Sequence, residues 1–430
     1  MFKNYLKTAI RNLGRNKINS AVNIVGLFVG FSAFLLIFLV IQYEQSFDDY
    51  HKNKKNIYRV VRIGNNPTNR EYRTGVPFPV TATVRADFPQ LKNVAAIFSD
   101  DDVQISVSGH PGAPARKFKL KTGAFFVEPS FFSMFDFPLS AGDIHHALDN
   151  PYKALISREE ATRYFGDWKT VIGRPLNVDG LDLIITGILN DPPSNSDFPL
   201  KIAISYSTLK DLVGMNNWRN ITDNNYCLIQ TAESGDSARF NGLFLKFTEK
   251  YIQPVNKGYS LALQPLNQIH FDDRYGNFSG RTFSKELIVT LWLIGIFLLV
   301  VACVNFVNLT TARALDRARE VGIRKVLGGN RAQLMLQFLG ETAVTCALAL
   351  FASLGIVLLA LPFLNELLQV QISAGYLYTS GFILAAAITL ASVVVLSGFY
   401  PSLVLSGFQS AMVLKGVMNV DAKGTFFRRA

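Results

Sequence analysis

AVNIVGLFVGFSAFLLIFLVIQY, residues 21–43, runs without a charged side chain and decides the class of fold. About 20 helical residues, each rising roughly 1.5 Å, cross a bilayer core about 30 Å thick, so the stretch is long enough to span one. Three more stretches share its character. They are LIVTLWLIGIFLLVVACVNFVNLTTA at 287–312, the segment 332–365, which is uncharged from Thr342 to Asn365, and GFILAAAITLASVVVLSGFYPSLVL at 381–405, interrupted by Pro401. The 430-residue chain is 49% hydrophobic and 17% charged, apolar for a soluble protein of this size, and the apolar residues concentrate in these four segments.

Lys3, Lys7, Arg11, Arg15 and Lys17 precede the first stretch and raise a cleaved signal peptide as an alternative. The stretch is longer than the roughly 7 to 15 residues of a signal core, and bulky Ile41, Gln42 and Tyr43 stand where small cleavage-site residues would be. It reads as a retained span. Within residues 1–20, Phe2, Tyr5, Leu6, Ala9, Ile10 and Leu13 recur at helical spacing between the basic residues. That pattern predicts an amphipathic helix along the cytoplasmic lipid interface, and the same residues serve equally as a basic flank that sets topology.

The net charge of +11 argues for nucleic acid only if it covers one soluble face. It does not. Residues 1–20 hold five basic and no acidic groups, 313–331 six and two, and 406–430 four and one, whereas 44–286 is nearly balanced at 28 and 27. Positive charge beside spans stays cytoplasmic, so the N-terminus, the 313–331 loop and the 406–430 tail are expected inside. Residues 44–286 and the short loop 366–380 are then outside, and nucleic acid is excluded as a partner.

Cys303 and Cys346 lie within spans, leaving Cys227 alone in the external region, so no disulfide can form within it. Its length suffices for a core without staples, and a fragment of residues 46–284 is expected to fold without metal. Residues 57–63 (IYRVVRI) are β-rich, and residues 174–189 read as a hairpin on Asp179-Gly180. Residues 153–156 read as a strand leading into a helix capped by Ser157, with Glu160 three residues on. Strands at 226–231 and 259–266 flank a helix over about 236–251, and Asp191 to Ser196 is a loop. The expected fold class is a polytopic α-helical membrane protein of four transmembrane helices with a large α+β extracytoplasmic domain.

Between the second and third spans stands RALDRAREVGIRKVLGGNR, residues 313–331. Only Gly322 interrupts helix formers up to Gly328-Gly329, so a short helix ends there and another begins near Asn330. Arg317, Glu320, Arg324 and Lys325 give it a charged face, which a solvated basic loop would also explain. Glu341, at the cytoplasmic start of the third span, reads as a relay or as a side chain snorkelling to the headgroups.

No G-x-x-x-x-G-K-[ST], H-E-x-x-H, C-x-x-C or G-x-S-x-G occurs in the chain. His145-His146 is the only histidine pair, and adjacent residues on a helix diverge, so no metal ligand set is expected. A membrane enzyme would need converging titratable groups near a span end, for which His270, Asp272 and Asp273 are the nearest candidates.

VNFVNLTTARALDRAREVGIRKVLGGNRAQLMLQFLGE, residues 304–341, resembles the FtsX-like permease signature of MacB-type ABC transporters, and FFSMFDFPLSAGD at 131–143 with GRPLNVDGLDLIITGILNDPPSNSDFPL at 173–200 resembles the MacB-like periplasmic core. The resemblance extends over essentially the whole chain. It implies a non-catalytic permease in the inner membrane, with its large domain periplasmic and no cofactor of its own. The 313–331 helix would be a coupling helix docking on a separate ATP-binding cassette ATPase subunit through Arg317, Glu320, Gly322, Arg324 and Lys325, with Val321 and Ile323 as apolar anchors. Closure of the ATPase would drive movement of the external domain for efflux or release, without a pathway through the bilayer core. Membrane lipid and a second permease copy are the other implied partners. Residues 398–416 and 424–429 resemble the junction of double-unit permeases, in which a further span follows, so the chain is similar to the N-terminal half of a longer one. The alternative function is a membrane sensor with a ligand-binding external domain, which would need a cytoplasmic output module larger than these inside segments.

Overall fold

The computed structural model describes residues 17–107, 114–232, 237–312, 321, 323, 326 and 330–407. Residues 44–287 form one compact unit and the long helices the other. The amphipathic pattern from Phe2 to Leu13 and most of the 406–430 tail lie outside the described residues.

Among the described residues four helices are long and apolar enough to cross a membrane: Lys17–Gln45, Lys285–Ala312, Arg331–Leu368 and Ser380–Gly407. A chain in hydrocarbon has no water to satisfy its peptide groups, and a helix satisfies them internally. Leu293, Phe297, Phe351 and Leu359 are each more than 60% exposed on these helices, which suits hydrocarbon rather than water. Where the helices meet, small residues let them approach: a Cβ on Gly30 would stand 2.5 Å from the Ala302 Cβ. The Ser353 hydroxyl donates to the Phe28 carbonyl at 3.0 Å, and Gln42 Nε2 donates to Thr379 Oγ1 at 2.8 Å.

The third long helix starts at a capping box. Asn330 Oδ1 accepts from the Gln333 N–H at 2.8 Å, and the Gln333 side chain accepts from the Asn330 N–H. The helix runs on to Leu368, three residues beyond the last uncharged position, because Asn365 ties its end by bonds to both backbone groups of Ile372.

The 44–287 unit carries thirteen described strands in one sheet. They are β1 (Ile57–Gly64), β2 (Tyr72–Arg73), β3 (Asn93–Asp100), β4 (Val103–Val107), β5 (Arg116–Leu120), β6 (Ala124–Val127), β7 (Leu139–Ala141), β8 (Lys153–Ser157), β9 (Pro175–Val178), β10 (Leu181–Leu189), β11 (Ile202–Ser205), β12 (Asn225–Gln230) and β13 (Tyr259–Pro265). Their order is β13-β1-β12-β3-β6-β11-β8-β10-β9-β4-β5, with β2 on β1 and β7 on β10. The β8–β10 and β6–β11 pairs are parallel.

The hairpin read at 174–189 forms as β9 and β10, and its turn places Asp179 at φ 46° and Gly180 at φ 88°. Both central residues of that turn need the left-handed region, which Asp tolerates and Gly prefers. Ser157 Oγ accepts from the Glu160 N–H to start the Arg158–Phe165 helix. The Glu160 carboxylate does not complete a capping box; it is buried beside Arg163 and Lys201. Helices Pro79–Asp87 and Ser237–Phe247 cover β1, β12 and β13 through Val80, Val84, Phe240 and Phe244. Cys227 is buried in that layer.

Candidate functional site

Of the seven residues expected to dock a partner, Arg317, Glu320, Gly322, Arg324 and Lys325 lie outside the described residues. Val321, Ile323 and Val326 are helical. Val321 packs with Leu334 and Phe338, facing its own chain. Ile323 and Val326 are 53% and 65% exposed and three residues apart, hence on one face. Of the two anticipated anchors Val321 is therefore buried and Ile323 exposed, with Val326 exposed beside it at a helical spacing readable in the sequence.

A second constellation lies where the chain leaves the first long helix and where it approaches the second. Glu44 is the penultimate residue of Lys17–Gln45, and Arg281 stands four residues before Lys285–Ala312. Both belong to the 44–287 unit. His270 Nε2 lies 2.7 Å from Glu44 Oε2, and its Nδ1 lies 3.1 Å from Asp197 Oδ1. The ring stacks on Phe47 with centroids 3.5 Å apart. Arg281 Nη2 donates to Glu44 Oε1. Asp197 Oδ1 also accepts from Asn277 Nδ2 at 2.6 Å and from the Ser279 hydroxyl.

Carboxylates only accept, so two of them facing both ring nitrogens select the doubly protonated imidazole. Burial alone would lower the His270 pKa, but the hydrogen bonds to Asp197 and Glu44 outweigh it and hold the value above that of ordinary histidine. His51 is the opposite case. Its Nδ1 accepts the Asp136 N–H at 3.0 Å, and burial pushes its pKa down to about 3, so it is neutral. Asp48 Oδ1 accepts from the Ser196 hydroxyl at 2.8 Å and the Asp197 N–H at 3.1 Å; burial, reinforced by the Asp197 charge, raises its pKa to about 7.

The segment leading to the second long helix is strapped from other directions too. The fully buried Arg59 on β1 donates from Nη2 to the Gly276 carbonyl at 2.9 Å and to Gln264 Oε1 at 2.6 Å. Phe278 packs among Phe125, Phe198 and Tyr226. The Phe283 N–H donates to the His270 carbonyl at 2.8 Å. The loop at 191–196, read from sequence only as a connection, holds the exit of the first helix: Asn195 Nδ2 donates to the Ser46 carbonyl, and the Asp48 N–H donates to the Asn195 carbonyl.

Sequence reasoning reached His270 but grouped it with Asp272 and Asp273. The structure turns His270 toward Glu44 and Asp197, whereas Asp272 takes a bidentate bond from Arg274. The available signal was Glu44, the first charge after the long apolar stretch, since a carboxylate there requires a partner. His146 bonds Asp149 on an exposed turn. Among the described residues no group of three or more His, Cys, Asp or Glu could hold a metal ion. Glu341, three turns into its helix, accepts from Gln337 Nε2 at 3.2 Å.

These features define a polytopic membrane protein with a large external α+β domain. The chain belongs to the MacB-like periplasmic core domain family, whose family model matches residues 20–241, and the FtsX-like permease C-terminal model matches residues 292–409. It is therefore a MacB/FtsX-type permease. "Macrolide export ATP-binding/permease protein MacB 1" of Yersinia pestis bv. Antiqua (strain Antiqua) is 22% identical over 359 residues, covering 80% of this chain and 50% of the relative. "Macrolide export ATP-binding/permease protein MacB" of Salmonella typhi is 21% identical over 228 residues, covering 51% and 32%. The chain spans half or less of the length of these curated relatives. The crystal structure of the periplasmic region of MacB from Actinobacillus actinomycetemcomitans has a TM-score of 0.36 at 12% identity, covering 50% of this chain and 90% of that one.

Proposed function

We propose that this chain is the non-catalytic permease of an ABC transporter, a mechanotransmission subunit that couples ATP hydrolysis on a separate ATPase subunit to movement of its external domain. The ATPase docks on the cytoplasmic 313–331 segment through Arg317, Glu320, Arg324 and Lys325, with Ile323 and Val326 as its apolar face and Gly322 permitting close backbone approach. The N-terminus and the 406–430 tail share that side of the inner membrane, the 44–286 domain is periplasmic, and the long helices face lipid and a second permease copy.

The observation that carries this reading is the charge cluster at Glu44, Asp197, His270 and Arg281, which joins the exit of the first long helix to the segment preceding the second. A domain held in this way follows a displacement of its helices, which a loose tether would absorb. The external work is export or release of a substrate.

Affinity purification of the full chain from membranes of its own host tests the reading. An ATP-binding cassette ATPase is expected to copurify, and the Arg324→Glu/Lys325→Glu chain is expected to lose it while an Arg324→Gln/Lys325→Gln control still inserts. Copurification unchanged by the charge reversal would remove the docking assignment.

A further inference from the structure

We propose that the Glu44–His270–Asp197 bridge is a proton-operated latch: closed while His270 carries protons on both ring nitrogens, open once it gives one to solvent. The proposal rests on the reading that movement passes between the long helices and the external domain, and it adds a control on that passage.

The geometry makes the imidazole the moving part. Each carboxylate has donors besides the ring: Glu44 Oε1 has Arg281, and Asp197 Oδ1 has Asn277 and Ser279. When His270 loses a proton, one ring nitrogen faces a carboxylate oxygen lone pair to lone pair. Glu44 Oε1 and Asp197 Oδ1 keep these other donors whereas that ring nitrogen keeps none, so the ring is displaced from its stack on Phe47. What is released is the ring's tie between Glu44 and Asp197, and with it the His270 end of the strap, whose carbonyl accepts from the Phe283 N–H. Asn277 and Ser279 stay on Asp197 and Arg59 still holds Gly276, so opening loosens the approach to the second long helix at its His270 end.

The charged groups that bear on the ring or on its partners are Glu44 from the end of the first long helix, Asp48 and Lys54 from the segment after it, Asp197 from the 191–197 loop, Arg59 from β1, and Asp272 and Arg281 from the segment after His270. Burial raises the Asp48 pKa to about 7, and its loss of a proton adds negative charge beside Asp197, which favours the cationic ring. The two groups thus act in opposite senses and can be told apart.

The test is amide hydrogen exchange on the full chain in lipid nanodiscs from about pH 6 to about pH 9, corrected for intrinsic base catalysis. Peptides spanning 266–283 are expected to lose protection by roughly tenfold or more across that range. The His270→Gln chain, unable to carry the charge, is expected to exchange fast at every pH, and the Asp48→Asn chain is expected to keep the native pH dependence. Flat exchange in the native chain overturns the latch, as does a pH response that survives in His270→Gln or disappears in Asp48→Asn. None of these readouts involves an ATPase. Flat exchange would leave the permease reading standing, and failure to recover an ATPase would sink that reading and leave the exchange result intact.

Discussion

His270 Nε2 and Glu44 Oε2 lie 2.7 Å apart although they stand 226 positions apart in the sequence, and both side chains are buried. The pair closes the 44–287 unit on itself at the point where both of its ends lead into long apolar helices. Removing one member of a buried ion pair strands the other's charge, which costs roughly 3–5 kcal/mol.

A fragment of residues 46–284 lacks Glu44 and leaves both His270 Nε2 and Arg281 without their carboxylate. A fragment of residues 42–287 is expected to melt higher than the same fragment with Glu44→Ala by roughly 10 °C, given about 2–4 °C per kcal/mol for a domain of this size. Calorimetry at neutral pH checks it, and equal melting temperatures would mean the cluster contributes nothing to the domain.

Asp48→Asn is expected to stabilise. Asp48 sits at φ 56°, a region Asn tolerates well, and its Oδ1 acceptor role toward Ser196 and Asp197 survives in Asn. Its folded pKa is raised from 3.8 to about 7. A raised folded value means stability fully present below 3.8 and lost as pH rises through about 7. The variant should therefore gain on the native chain from about pH 4 upward, level off above about pH 7, and lead there by at least about 1 kcal/mol. Urea titrations at pH 4, 6 and 8 measure it, and a constant difference would contradict the assignment.

Much of the fold was legible in sequence because its signals are local. Uncharged runs, the Asp179-Gly180 turn and the Ser157 cap each depend on residues within a few positions of one another. The 13-stranded order and the charge cluster are not of that kind. Glu44, Asp197 and His270 come from three distant segments, and only the sheet's connections bring them together. Short strands such as β2 and β7, two and three residues long, exist because a neighbour supplies the ladder, and they carry no periodicity to read.

Gly75→Ala is expected to destabilise the external domain by roughly 1–3 kcal/mol or to prevent its folding. A Cβ there would stand 1.9 Å from the Thr222 carbonyl oxygen and 2.5 Å from the Asp223 Cα, both backbone atoms that cannot yield cheaply. Gly242→Ala, in open space on the Ser237–Phe247 helix, is the matched control and should leave stability unchanged or raise it slightly. Denaturant midpoints of the two variants decide the matter.

Cys227, Cys303 and Cys346 are all buried, so the native chain should be nearly silent to a membrane-impermeant maleimide. Asn150→Cys and Asn330→Cys occupy exposed positions. The first is expected to label from outside intact cells and the second only after permeabilisation; the reverse pattern would invert the topology.

The central claim, that ATP hydrolysis on a cytoplasmic partner reaches the external domain, is tested most directly by hydrogen exchange of the 266–283 segment in the full chain reconstituted with its ATPase, compared between nucleotide-free and ATP-trapped states. The account predicts different protection in the two states for this segment. Identical protection, with the ATPase bound and turning over, would contradict it.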